Sequence, residues 1–364
     1  AAIMKLKLML LDDNKTYIDR LVSAFSVRQD FSVETYSFTD MQEALSTLRK
    51  ISADFFIASE SFDINPEIIP EGCAFAYFSD SVAKREVRGQ VAICRYQKAE
   101  LIYKEILSIY SDLVKSDTSG LTPEGEPKAA RSRVLVFLPC SGGVGASSAA
   151  AACALRFARR GMRVLYLNLE RFGSSSLYFE AEGRMHLGDV LYAIKSKRSN
   201  FGMKIKSAIK QDENGVFFIE SCRVAPEVME ITAENAEELI YELRALGQFN
   251  YIIADIDMTL EGASLAIMKK AEANILVSDG SEASHKKLER IVKAMELISA
   301  RDEFDFPTPY LMYNRFGSKS SADSNPFDIA FLGGAPKFEG ASQSRVIRQL
   351  AELSLFDGLA GPEV

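Results

Sequence analysis

The sequence predicts an α/β protein made of two tandem three-layer sandwiches, each with a mainly parallel sheet. Short apolar runs alternate with amphipathic segments in both halves of the chain, which is typical of parallel strands covered by helices. A segment at 115–132 rich in Ser, Gly, Pro and charged residues interrupts this alternation. The length of 364 residues also suits two domains. We therefore expect one domain at 1–114, a linker at 115–132 and a second domain at 133–364.

The composition is that of a globular protein with a sizeable core. Hydrophobic residues make up 47% and charged residues 26% of the chain, which argues against a disordered protein. A net charge of −7 argues against a protein that coats nucleic acid over its whole surface. Two histidines are too few for metal sites or acid–base schemes that need several imidazoles.

Cysteine usage and the apolar runs predict a cytoplasmic protein. The five cysteines form no CxxC pair, so neither a disulfide framework nor a zinc module is expected, and a reducing compartment is favoured. The apolar run at the start reaches the acidic pair Asp12 and Asp13 too early for a signal peptide. No apolar stretch attains the roughly 20 residues that span a bilayer.

The first half reads as strand, helix, strand, helix, three further strands and a closing helix. The predicted strands are 6–11, 31–38, 54–59, 73–79 and 91–96, and the predicted helices are 16–25, 41–51 and 98–114. The second half restarts with longer units. Its predicted strands are 133–138, 163–169, 216–221, 251–256, 274–279 and 309–315, and its predicted helices are 147–160, 234–247, 262–272, 283–300 and 342–354.

Acidic residues end the first predicted strand, where an open α/β sheet binds ligands. Asp12 and Asp13 follow LKLMLL, and oxygen ligands at this place suit Mg²⁺. Asp12, Asp13 and Asn14 are equally typical of an N-cap for the helix that follows. Both interpretations remain open at this point.

Over about 110 residues the order of elements resembles the receiver domain of two-component signalling. At the position of the family's acceptor aspartate this chain has Ser59, followed by Glu60. At the position of its lysine it has Arg95, followed by Tyr96 where the family has proline. The hydroxyl position is matched by Ser79 or Ser81. A serine cannot form an acyl phosphate, so we interpret the domain as a receiver-like fold for docking or dimerisation that does not accept phosphate.

A glycine-rich turn between a buried strand and an alanine-rich helix is the strongest motif of the sequence. In VLVFLPCSGGVGASSAAAACALRFA the glycines Gly142, Gly143 and Gly145 let the main chain approach phosphate oxygens, and the helix N-terminus adds its positive dipole end. Ser147 stands where a loop hydroxyl would bind Mg²⁺. The expected phosphate contacts are Ser141, Gly142, Gly143, Val144, Gly145, Ala146, Ser147 and Ser148.

This turn resembles the deviant phosphate loop, KGGxGK[ST], of the MinD/ParA superfamily of ATPases. Ser141 takes the place of the signature lysine, Ala146 that of the second lysine and Cys140 that of the leading glycine. The resemblance implies binding of ATP and Mg²⁺, while the loss of both lysines implies very slow hydrolysis or none. It also implies a homodimer, although Ser141 cannot reach across to a partner as the lysine does.

Further segments resemble that superfamily in the same order. Asn168 and Glu170 stand at its DxD motif, and Asp255 ends a strand like Walker B, where it would hold the Mg²⁺ shell. Asn314, with Arg315 beside it, matches the end of the adenine-reading strand. FLGGAPKFEG matches the turn that flanks the base, with landmarks Gly334, Ala335 and Pro336.

The missing loop lysine together with the receiver-like domain resembles the TadZ/CpaE family, which positions the assembly machinery of Flp (Tad) pili at a cell pole. Its typical alanine at the second lysine position is Ala146 here. HLGDVLYAI (186–194) is similar to the family's leucine-rich element, and 222–240 to its loop and following helix. The resemblance implies a cytoplasmic scaffold with pilus-assembly proteins as partners, recruited to a pole.

Three alternatives follow from the same fold. A ParA-like partition protein would bind DNA nonspecifically through a basic stretch, whose alternative interpretation is a solvated face. Its cations are Lys195, Lys197, Arg198, Lys204, Lys206 and Lys210. A membrane-bound MinD-like role is disfavoured by the acidic ending LFDGLAGPEV. A metabolic enzyme is disfavoured because the loop lysine and a CxxC cluster are missing, and we expect His186 and His285 to be surface or boundary residues.

Overall fold

The structure is a computed structural model, and it describes residues 6–27, 33–113, 132–196, 201–307, 309–317 and 329–361. These residues form two compact units. The first contains the described residues up to 113 together with 201–207, and the second contains 132–196 and 208–361. The predicted linker at 115–132 lies almost entirely outside the described residues, so the domain boundary stays a prediction.

The first unit is a six-stranded sheet with helices on both faces. Its strands lie in the order β2-β1-β3-β4-β6-β5, and every neighbouring pair is parallel except β5 with β6. Its elements are β1 (Leu6–Leu11), α1 (Lys15–Val27), β2 (Val33–Phe38), α2 (Met41–Ile51), β3 (Phe55–Ser59), β4 (Ala74–Ser79), β5 (Glu86–Val87), β6 (Gln90–Cys94) and α3 (Ala99–Leu113).

The strand β1 shows why this sheet is covered on both faces. Leu8 and Leu10 lie in the core on the side of α1 and α3, whereas Met9 and Leu11 lie in the core on the side of α2. Because successive side chains of a strand point to opposite faces, a continuous apolar run buries both. The run LKLMLL, apolar except for the half-buried Lys7, therefore predicts a strand that is covered on both faces.

The second unit is an eight-stranded sheet in the order β14-β13-β12-β7-β11-β8-β10-β9, parallel except for the pair β9 and β10. The elements that follow α3 along the chain are β7 (Arg133–Pro139), α4 (Ala146–Arg159), β8 (Val164–Asn168), α5 (Leu187–Lys195), α6 (Phe201–Ala208), β9 (Ile209–Gln211), β10 (Phe217–Ile219), α7 (Ala225–Met229), α8 (Ala233–Ala245), β11 (Tyr251–Asp255), α9 (Gly262–Lys270), β12 (Ala273–Ser278), α10 (Glu282–Asp302), β13 (Pro309–Phe316), β14 (Ala330–Pro336) and α11 (Gln343–Glu352).

Helix α4 packs closely on this sheet because its side chains are small. Ala149, Ala150, Ala151 and Ala152 are fully buried in the core that α4 shares with β7, β8 and β11. Close packing fixes the first turn of α4 against the carboxyl end of β7. The glycine-rich turn that joins β7 to α4 is thereby held at the edge of the sheet where open α/β sheets bind ligands.

The predicted fold class is confirmed, since both units are helix-covered sheets of mainly parallel strands. The prediction for the segment 331–340 is wrong. FLGGAPKFEG was expected to be a turn, but Ala330–Pro336 forms the edge strand β14 paired with β13, and the turn follows at 339–340. Two glycines and a proline mask the strand signal in the sequence, while an edge position tolerates them.

Helix α6 belongs to the first unit, apart from its last residue, although it follows the predicted linker. Its Lys204 is 5% exposed and donates to Ser108 Oγ at 2.8 Å and to the Asp112 carboxylate at 3.2 Å, both on α3. Met203 packs against the core of the same unit. The expectation of a solvated face is therefore wrong for Lys204, whose charge is paired and buried.

Candidate functional site

In the first unit, the side chain of Arg95 lies against Ser59, the residue at the position of the receiver family's acceptor aspartate. One guanidinium nitrogen lies 3.2 Å from Asp12 Oδ2, another donates to Ser59 Oγ at 2.8 Å, and Nε lies 2.9 Å from Asp80 Oδ1. Asp12 is fully buried and Arg95 is 11% exposed on its side chain. The cation that balances the buried carboxylate is thus part of the chain itself.

The two roles expected at the end of β1, helix capping and ligand binding, apply differently to the residues Asp12, Asp13 and Asn14. Asn14 caps α1 by accepting from the N–H of Tyr17 at 3.0 Å, and Asp12 Oδ1 accepts from the N–H of Asn14 at 2.8 Å. Burial raises the pKa of Asp12, and the hydrogen bond from Asn14 and the charge of Arg95 oppose this shift. Asp13 is exposed. The N-cap interpretation holds for Asn14, while Asp12 is half of a buried ion pair.

In the second unit, the glycine-rich turn forms a loop whose backbone requires glycine at two places. Gly143 and Gly145 have φ values of +79° and +81°. A Cβ on Gly145 would also lie 2.6 Å from Asn314 Nδ2. Gly145 is the N-cap of α4 but provides no side-chain cap, so the first N–H groups of this helix have no partner on its N-cap residue.

The carbonyl groups of the loop are held on one side by the end of β13. Asn314 Nδ2 donates to the carbonyls of Val144 at 2.9 Å and Gly145 at 3.2 Å, and Arg315 donates to the carbonyl of Gly143 at 2.6 Å. In a trans peptide the carbonyl and the following N–H point in opposite directions. Fixing these carbonyls therefore directs the N–H groups of the next residues, including Ala146, away from β13.

Ser141, at the expected position of the signature lysine, is directed into the protein. Its hydroxyl donates to Ser284 Oγ at 3.2 Å, and Ser284 Oγ lies 2.9 Å from Ser278 Oγ. Ser281 caps α10 by accepting from the N–H of Ser284. The first residue of the loop is thereby tied to the end of β12 and the first turn of α10.

A buried carboxylate lies beside the loop, at the end of β11. Asp255 is fully buried, and its Oδ2 accepts from the hydroxyl of Tyr166 at 2.8 Å and from Asn168 Nδ2 at 2.9 Å. Asn168 Nδ2 also lies 3.1 Å from Glu170 Oε2. Asp255 Oδ1 and Asn168 Oδ1 are buried and have no hydrogen-bond partner among the described residues.

The protonation of Asp255 depends on this environment. Burial raises the pKa of Asp255 to about 8, and the negative charge of Glu170 adds to the shift. Hydrogen bonds from Tyr166 and Asn168 lower it in part, and the hydroxyl of Ser147 is close enough to lower it further. In the absence of a cation, the neutral acid is therefore the dominant form of Asp255 at pH 7.

The oxygen atoms gathered here suit a hard divalent cation. Ser147 offers a hydroxyl, Asp255 and Asn168 offer unpaired oxygens and Glu170 a carboxylate, which are the donor types that Mg²⁺ prefers. No group of three His, Cys, Asp or Glu side chains that could hold a metal occurs among the described residues.

The remaining expected contacts reach the same edge of the sheet. Ala335 and Pro336 end β14, where Pro336 pairs with Phe316 of β13, two residues beyond Asn314. Ala335 is buried and Pro336 is exposed. Ser148 faces inward and receives a hydrogen bond from Gln343 of α11. Their roles as ligand contacts stay predictions.

Three polar contacts of the site were not expected from the sequence. They involve Ser284 behind the loop, Tyr166 on the buried carboxylate, and Tyr178, whose hydroxyl lies beside Ser147 and Ser148. Burial raises the pKa of Tyr178 to about 12, so this hydroxyl stays neutral. Strand and turn patterns cannot separate such residues from ordinary core tyrosines and cap serines.

The basic stretch and the two histidines are largely engaged in the fold. Lys195 Nζ lies 2.7 Å from Glu230 Oε2, and Lys210 is 3% exposed on its side chain and paired with Glu220. For Lys210, as for Lys204, the expected solvated face is wrong. Lys197 and Arg198 lie outside the described residues. His186 caps α5 and His285 stacks on Tyr313, both as partly buried boundary residues.

Residues 4–111 match the family model described as TadZ-like, receiver domain. This segment is thus similar to that domain family over somewhat less than a third of the chain. The match confirms the predicted resemblance to the TadZ/CpaE family for the part of the chain that it covers. It also agrees with the strand order of the first unit, in which β1 lies between β2 and β3.

The other comparisons show similarity at the level of the fold alone. No curated protein matches the chain. Solved structures that are similar include a ParA family ATPase from Chlorobium tepidum TLS (19% identity, 63% of this chain and 97% of the other, TM-score 0.48) and the MinC:MinD cell division complex of Aquifex aeolicus (15%, 64% and 97%, TM-score 0.49). MinD with Mg-ADP from Pyrococcus horikoshii OT3 is also similar, with 15% identity over 61% of this chain and 95% of the other and a TM-score of 0.47.

Replacing Arg95 by alanine should destabilise the first unit by about 3 kcal/mol, because it leaves the buried Asp12 without its cation. Adding Asp12→Asn to Arg95→Ala should recover much of this loss. The exposed Arg85→Ala serves as the control and should change stability little. Urea unfolding followed by circular dichroism measures all four proteins. Equal stability of Arg95→Ala and the unmodified protein would contradict the assignment.

Replacing Asp255 by asparagine should stabilise the ligand-free protein, and more so at pH 9 than at pH 6. Because the folded-state pKa lies above the ordinary value, the stability tied to the neutral acid is lost as the pH rises through about 8. At pH 9 the gain should be at least about 1.4 kcal/mol, the equivalent of one pKa unit.

Thermal unfolding in EDTA measures this effect on Asp255→Asn, with the exposed Asp305→Asn as control. The control should shift the unfolding temperature little at either pH. A loss of stability in Asp255→Asn at pH 9 would show that the carboxylate is a structural requirement of the apo fold.

Proposed function

We propose that the second unit binds ATP with Mg²⁺ at the loop 141–148 and hydrolyses it very slowly or not at all. The observation that carries the proposal is the orientation of the loop, whose carbonyls are fastened by Asn314 and Arg315. Its N–H groups and the N-terminus of α4 then point to the place where phosphate oxygens would lie. Asp255 and Ser147 would hold the Mg²⁺ shell, with Asn168 and Glu170 beside them.

The expected absence of turnover follows from charge. ATP carries about four negative charges, of which Mg²⁺ offsets two. Ser141 and Ala146 place no cation on the phosphates, so charge that develops on the γ-phosphate during transfer has no ammonium group of the loop to stabilise it. Binding in the ground state depends on main-chain amides and Mg²⁺, which remain.

The base would lie at the ends of β13 and β14. Asn314 uses its amide nitrogen to hold the loop, which leaves its Oδ1 as the atom that would accept from the amino group of adenine. Arg315, Ala335 and Pro336 would flank the ring. Asn314 would thereby contact both the loop and the base.

The cellular role that we propose is a positioning scaffold for Flp (Tad) pilus assembly, acting as a homodimer in the cytoplasm and recruited to a pole. The TadZ-like receiver domain supports this role, as does the loop without lysines. In the receiver domain Arg95 fills the place of phosphate chemistry, which favours a docking function for that domain. No described helix is long and apolar enough to cross a membrane.

The alternative is a ParA-like partition protein that binds DNA nonspecifically. Of its six expected cations, Lys195, Lys204 and Lys210 are each paired with a carboxylate, and the latter two are buried. Salt-dependent DNA binding needs cations free to neutralise phosphates. The structure thus weakens the feature on which this alternative was based.

Calorimetry should detect ATP–Mg²⁺ binding to the full chain, and Ser147→Ala should weaken it about tenfold, close to 1.4 kcal/mol. Without Mg²⁺ the two proteins should bind ATP equally weakly, since the hydroxyl acts through the cation. Ser196→Ala, at the exposed residue directly after α5, is the matched control. A robust steady-state ATPase rate that is abolished in Asp255→Ala would contradict the predicted absence of turnover.

Imaging of the tagged chain in its native cells separates the two cellular roles. A positioning scaffold should form a focus at one or both poles, and its affinity purification should recover pilus-assembly proteins. A partition protein should instead colocalise with the nucleoid, and its DNA mobility shift should vanish with added salt. Colocalisation with the nucleoid together with a salt-sensitive mobility shift would contradict the scaffold role and support the partition role.

A further inference from the structure

We propose that Arg171 binds the terminal phosphate of ATP and replaces the charge that the loop has lost. This inference rests on the proposed nucleotide site and adds a residue to it. Arg171 follows β8, in the segment between Glu170 and Gly173. A guanidinium suits this task because its planar donors can engage two phosphate oxygens at once.

The order of strands places Arg171 at the phosphate end of the site. The proposed base position lies at β13 and β14, the loop follows β7 in the middle, and Asp255 ends β11 on the other side. β8 is the neighbour of β11 beyond that. A nucleotide that runs from β13 across the loop towards Asp255 therefore directs its last phosphate to the residues after β8.

Arg171 and the rim of the loop share one open cavity of about 430 Å³. Ser141 and Gly142 line it from the loop, and Asp257 and Thr259 line it from the segment after β11. Ser141 itself is turned inward to Ser284, so it leaves this space to other side chains. Arg171 brings a positive charge to the place from which the signature lysine is missing.

The backbone of this segment is fixed while the side chain is loosely held. The N–H of Arg171 donates to Asp257 Oδ2 at 2.9 Å, and a Cβ on Gly173 would lie 2.2 Å from Asn168 Oδ1, so the segment fits tightly against β8. The guanidinium Nε lies 3.7 Å from Asp257 Oδ2, and the two side chains are 48% and 37% exposed. A long and exposed ion pair costs little to exchange for a phosphate.

Calorimetry with AMPPNP–Mg²⁺ and ADP–Mg²⁺ tests this role on the full chain. Arg171→Gln keeps the length and loses the charge, and it should weaken AMPPNP binding about 10- to 100-fold, as expected for a charged hydrogen bond. ADP binding should change less than about threefold, since the terminal phosphate is absent. Arg171→Lys should restore part of the AMPPNP affinity. Arg290→Gln, on the exposed face of α10, is the matched control.

The outcomes separate this inference from the site on which it rests. If the unmodified protein binds both nucleotides and Arg171→Gln keeps the same AMPPNP-to-ADP ratio, the site stands and the role of Arg171 is wrong. If Arg171→Gln loses both nucleotides equally, with an unchanged unfolding temperature, Arg171 does not act at the terminal phosphate. If the unmodified protein binds neither nucleotide, the proposed function and this inference are both wrong.

Discussion

The hydrogen bonds from Asn314 and Arg315 to the carbonyls of the glycine-rich loop fix the orientation of its peptide groups, and the proposed binding site depends on that orientation. A loop without cations has only its peptide dipoles to offer an anion, and these act together only if they share an orientation. Asn314 fixes the carbonyls of Val144 and Gly145, and Arg315 fixes that of Gly143. The buried alanines of α4 keep the following helix turn in place. This arrangement supports the anion site of main-chain groups that we propose.

The two units treat a buried carboxylate at a strand end in opposite ways. Asp12 in the receiver domain is paired with Arg95, so its charge is balanced within the fold. Asp255 in the second unit receives two neutral donors and keeps one oxygen unpaired, with a pKa raised to about 8. An unpaired buried carboxylate destabilises a protein unless a ligand compensates it. Because of this contrast, we interpret the site at Asp12 as one that needs no bound cation and the site at Asp255 as one that can bind a cation.

The structure could be predicted from the sequence where it depends on the periodicity of apolar residues and on the positions of glycines. Mainly apolar runs such as LKLMLL and the loop glycines predicted both sheets and the strand–turn–helix motif correctly. Edge elements were harder to predict, because β14 contains glycines and proline that an edge tolerates. Side-chain pairing over long separations was not predictable either, as shown by Lys204, which neutralises Asp112 from a helix 92 residues further along the chain. The contact of Ser141 with Ser284 spans 143 residues and has no local signal.

We propose that oriented main-chain amides, with a divalent cation, bind a triphosphate although both loop lysines are missing. Amide-resolved NMR of the full chain during titration with ATP–Mg²⁺ is the decisive experiment for this proposal. We expect the largest shifts at the amides of Val144, Gly145, Ala146 and Ser147, and these shifts should saturate together with that of Asp255. Saturable shifts confined to other parts of the protein, or none at any ATP concentration, would contradict it.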